Sequence, residues 1–62
     1  MKEHILIKNT HSQTIILFCN HISSVLEYRK DVSLVVMDTG KEYYVPKPIQ
    51  ELVNEIFGDS KN

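Results

Sequence analysis

From Ser33 to Gly58 the chain runs without a gap through an alternating apolar strand, a Gly-centred turn, a short return strand and an amphipathic segment, a succession few folds accommodate. Val32 to Met37 is rich in β-branched residues, which suit a pleated, half-buried surface. Asp38-Thr39-Gly40-Lys41 then reads as a tight hairpin in which Gly40 supplies the positive φ that other residues resist. Glu42 to Val45 is the return strand, and Pro46, which has no N–H for a ladder, ends it. Apolar residues follow at Ile49, Leu52, Val53, Ile56 and Phe57, the i, i+3, i+4, i+7, i+8 spacing of one helical face, with Gln50, Glu51, Asn54 and Glu55 on the other. The spacing predicts a helix over 48–57, with Pro48 in its first turn, Glu51 near the positive end of its dipole and Gly58 at the left-handed position after it. Asp59 to Asn62 is expected to fray as a tail.

Upstream, His4 to Lys8 is a short strand, and Asn9-Thr10-His11-Ser12 is a polar break of hairpin length. Thr14 to Cys19 is apolar at nearly every position, the pattern of a central strand covered on both faces. Asn20-His21 marks a kink. Ile22 to Tyr28 alternates out of strict period, which a bulge near Ser23-Ser24 reconciles. Arg29-Lys30-Asp31 is the next turn. The reading is α+β, mostly β: one domain over 1–58, a small curled antiparallel sheet of about five strands with one C-terminal amphipathic helix.

A helix of roughly ten residues is about 15 Å long and covers one face of a sheet. Strand two nevertheless has Ile15, Leu17 and Cys19 on one side and Thr14, Ile16 and Phe18 on the other, so it lacks a polar face. Either the sheet curls into a small barrel or its second face meets another subunit. Size points the same way. A chain of 62 residues buries only about 60% of the surface its unfolded form exposes, and scaffolds this small recruit disulfides, a metal or a partner. The single cysteine, Cys19, excludes an internal disulfide, which makes self-association the leading remedy and a further protein partner the natural extension. Ile15, Leu17 and Tyr44 are the candidate interaction-surface residues.

Seven basic and eight acidic side chains give a formal charge of −1, without the positive field of a general nucleic-acid binder. The N-terminal residues lack the pattern of a secretory signal, and no run approaches the about 20 apolar residues of a membrane span. A cytoplasmic protein without membrane insertion is expected.

Individual residues offer sharper chemistry. Asp38-Thr39-Gly40 after Leu34-Val35-Val36-Met37 is spelled like the aspartic-protease signature, in which paired carboxylates share a proton. Here Lys41-Glu42-Tyr43 returns at once as a strand, and the Asp38 segment reads as turn chemistry. Cys19, with His4, His11 and His21, has zinc-ligand residue types but no CxxC or HxxxH anchor, and Cys19 reads as a small core residue. Tyr28, Arg29, Lys30 and Lys47 are the candidate ligand-binding set, since aromatics beside cations stack on bases and pair with anions. No catalytic residue, metal ligand or cofactor is expected.

The order of a short strand, a polar turn, an apolar strand ending in Asn20-His21-Ile22-Ser23-Ser24-Val25, then Val32-Ser33-Leu34-Val35-Val36-Met37-Asp38-Thr39-Gly40-Lys41-Glu42-Tyr43-Tyr44-Val45 and a terminal helix, resembles the small flagellar FlbD/SwrD-like proteins. The resemblance covers nearly the whole chain and implies a non-enzymatic bacterial motility factor. Two departures stand out: no Asn-Gly or Asp-Gly turn occupies Thr10-His11-Ser12, and Pro46-Lys47-Pro48 precedes the helix. The same succession fits a small phage or mobile-element protein. Two functions follow: a non-catalytic interaction module that self-associates, or an oligomer holding a nucleotide or other anion at a subunit interface.

Overall fold

The computed structural model describes Lys2 to Gly58; the tail expected over 59–62 lies outside the described residues. The elements are β1 (His4–Lys8), β2 (Thr14–Phe18), a 3-10 turn (Cys19–His21), β3 (Ile22–Arg29), β4 (Val32–Met37), β5 (Glu42–Val45) and α1 (Ile49–Phe57). The fold is α+β and mostly β, with five strands and a C-terminal helix.

The strands divide between two antiparallel sheets, β1-β2 and β3-β4-β5. This corrects the expectation of one curled sheet with strand two at its centre: among the described residues β2 has a single neighbour. The reason lies at Cys19–His21, where the chain leaves extended geometry for one tight turn and β3 departs in a new direction. Each hairpin turn has its own cause. In β1-β2 the Asn9 carboxamide oxygen accepts from the N–H groups of His11 (2.9 Å) and Gln13 (3.0 Å), while Ser12 takes a φ of 63°. Asn9 therefore organises a longer loop where a two-residue Asn-Gly turn is absent. In β4-β5, Gly40 has φ 91°, and the Gly40 N–H donates to Met37 O at 2.9 Å. In β3-β4 the register shifts twice, between Ile22 and Ser24 as expected and again between Glu27 and Arg29.

Alternation then sorts the side chains. Ile5, Ile7, Leu17 and Cys19 from the hairpin, Val35 and Val45 from the larger sheet, and Leu52 and Ile56 from α1 form the core. Helix α1 touches β1, β3 and β4, and so lies across the inner sides of both sheets. Two hydrogen bonds, one from a side chain and one from the backbone, fix its two ends. The buried Ser33 hydroxyl donates to Lys47 O at 2.8 Å, holding the segment that leads into the helix. The Lys2 N–H donates to Ile56 O at 3.0 Å, and Gly58 closes the helix in left-handed geometry at φ 71°.

Leu52 has no exposed surface whereas Phe57 is 58% exposed, so the two test the docking face. Leu52→Ala is expected to lose about 2–5 kcal/mol, comparable with the roughly 3–5 kcal/mol that a core this small supplies. Circular dichroism should find that variant largely unfolded at room temperature, and Phe57→Ala within about 0.5 kcal/mol of the parent in urea melts.

Candidate interaction surface

One helix lies against the inner faces, so the apolar residues that alternation directs outward stay uncovered. On the hairpin these are Leu6, Ile16 and Phe18, 61%, 52% and 53% exposed. Leu6 stands directly opposite Ile16, and Phe18 opposite His4, whose ring centroid lies 6.3 Å away. On the larger sheet exposed Leu26 and Tyr44 flank half-buried Leu34 across three strands. Tyr28 meets the edge of Tyr44 with ring centroids 4.8 Å apart.

A groove of about 470 Å³ separates the hairpin from the β4-β5 turn. Ile16, Leu17 and Phe18 line it from β2, and Met37, Asp38, Thr39, Lys41 and Tyr43 from the opposite side. His21 also lines it. Its Nδ1 lies 2.8 Å from Asp38 Oδ2, and because an ionised carboxylate only accepts, the ring nitrogen is the donor. The Asp38 N–H donates to His21 O at 2.7 Å, and the Thr10 N–H to Tyr44 O at 3.0 Å. These bonds tie the 3-10 turn and the β1-β2 loop to the β4-β5 hairpin. Both side chains of the His21–Asp38 pair are more than half exposed, so its contribution to stability is small, about 0–1 kcal/mol.

Two of the expected interaction residues are displaced from that role. Leu17 is 1% exposed and Ile15 packs half-buried against the core, because the register with Ile5 and Ile7 turns both inward. The outward residues of strand two are Ile16 and Phe18. Tyr44 is exposed on the outer face of the larger sheet. The expected ligand set is also divided. The Arg29 guanidinium carbon sits 5.3 Å from the Tyr28 ring centre, and with Thr10, Val32 and Tyr44 these residues line a shallow cavity of about 330 Å³. Lys30 is exposed in the β3-β4 turn. Lys47 points elsewhere: its ammonium pairs with Glu55 on α1, so it does not converge with Arg29.

Cys19 is buried, and burial pushes its thiol above the ordinary value while the Lys2 ammonium pulls the other way. Among the described residues no three His, Cys, Asp or Glu side chains converge on a cation site. The outward hairpin row had at most half a signal in the sequence: polar His4 and Lys8 share the face of Leu6 on β1, but the parity of the all-apolar β2 follows only from the register in which the two strands pair. The His21–Asp38 contact had none, being 17 positions apart across two turns. The chain matches no family model, no curated protein and no solved structure.

A raised thiol pKa means the folded state keeps the proton longer than the unfolded chain. Alkylation of Cys19 by iodoacetamide at pH 8 is therefore expected to be far slower in the native protein than in urea. Above the ordinary thiol pKa, ionisation of the unfolded chain alone lowers stability. A pH series of urea melts should show that loss in the parent and not in Cys19→Ala.

Proposed function

We propose that this chain is a non-catalytic protein-interaction module that self-associates. The observation that carries the reading is the uncovered row Leu6, Ile16 and Phe18, three large apolar side chains on the outer face of a hairpin whose inner face is already used. Contiguous apolar surface of this kind marks interaction sites. The total surface is 4223 Å², so a standard interface of about 800 Å² per partner would cover about one-fifth of the molecule. A chain that small gains stability from a partner. The resemblance of Val32 to Val45 and the following helix to the FlbD/SwrD-like proteins supports a cytoplasmic, bacterial motility-related role for the module.

Sedimentation equilibrium tests the self-association directly. The weight-average mass is expected to rise above 7.2 kDa with concentration, and Phe18→Glu to weaken association at least about tenfold, or 1.4 kcal/mol. A strict monomer up to the limit of solubility would overturn the reading. A second reading, an anion or nucleotide held against Tyr28 and Arg29, is favoured by the cation stacked on that ring. It requires ligand to raise the apparent melting temperature, and a nucleotide screen that produces no shift removes it.

A further inference from the structure

We infer that the partner is a second copy of the same chain, joined edge to edge through β2 about a two-fold axis at Ile16. The inference rests on the self-association reading and specifies its geometry. In the β1-β2 ladder, bonds from the Asn9 N–H to Gln13 O and from the Cys19 N–H to Glu3 O, both 3.0 Å, set which residues pair inward. Alternation makes Ile15 and Leu17 the bonded partners of Ile7 and Ile5. The backbone groups of Thr14 and Ile16, and the N–H of Phe18, are consequently aimed off the other side of β2. Among the described residues no strand pairs there.

The remaining strand edges carry the usual protections, and β2 does not. The edge residues of β1 include His4 and Lys8, β3 is broken by two bulges and bears Glu27, and β5 bears Glu42 and gives Tyr44 O to Thr10. Charges, bulges and covering loops are what keep edges from pairing. Thr14–Phe18 has no charge, no proline and no bulge.

The occupant follows from self-complementarity. Antiparallel pairing about Ile16 sets Ile16 against its own copy and Thr14 against Phe18, joins the two Ile16 backbones and gives each Phe18 N–H to the copy's Thr14 carbonyl, and brings no like charges together, as an isologous contact requires. A ladder this short falls well below about 800 Å² per partner. The groove supplies further contact: no β1 residue lines it, so it flanks β2 on the open side, where Met37 and Tyr43 meet an incoming strand. By symmetry each copy offers both the strand and the groove.

Disulfide trapping on the full chain tests this geometry. Paired residues in an antiparallel ladder are about 5.5 Å apart at Cα, inside the roughly 4.4–6.8 Å that a disulfide spans. Ile16→Cys under copper–phenanthroline is expected to give a covalent dimer at least tenfold faster than Leu26→Cys, a similarly exposed position on the other sheet. The parent, whose one thiol is buried, should give none. Ile16→Lys should sediment as a monomer while retaining the parent circular dichroism spectrum. Self-association of the parent with equal trapping at both positions overturns the β2 geometry and leaves the broader reading standing. The same holds if a synthetic Thr14–Phe18 peptide fails to compete and Ile16→Lys still dimerises. A monomeric parent with no trapping overturns both.

Discussion

Everything in this fold depends on one nine-residue helix covering the inner sides of two sheets. Leu52 and Ile56 sit where the hairpin residues Ile5 and Leu17 and the sheet residues Val35 and Val45 converge. Burying each such side chain contributes about 1.5–3 kcal/mol, and the molecule has few of them. Without α1 the two sheets would share only part of a core, too little to offset the entropy of ordering the chain.

The division into two sheets follows from the Cys19–His21 turn and is held by a few specific bonds. The β1-β2 loop bonds to Tyr44, His21 bonds to Asp38 through side chain and backbone, and Lys2 bonds to the end of the helix. These contacts contribute modestly as energies. Their consequence is geometric: they keep the hairpin beside the larger sheet with a groove between them.

That geometry leaves strand β2 with an apolar outward row and an unpaired edge beside the groove. Thr14–Phe18 on that edge has no charge, bulge or proline. The Tyr28–Arg29–Tyr44 cluster lies on the other sheet and is chemically distinct, with a cation stacked on an aromatic ring and no second cation from Lys47.

The sequence by itself determined the elements. Helical spacing from Ile49 to Phe57, Gly40 in its turn, Pro46 as a strand end and the bulge near Ser23-Ser24 are local properties, written in periodicity and in backbone sterics that act within a few residues. It also determined that one helix could not cover both faces of Thr14 to Cys19. Only the tertiary structure decided which face stayed open. A strand's parity relative to the core is set by its partner's register, and a shift of one residue exchanges Leu17 for Ile16. The same applies to Lys47, which joins Glu55 on the helix instead of Arg29, and to His21 meeting Asp38. Such pairings arise from where the chain returns in space, a property that residue types and spacing do not encode locally.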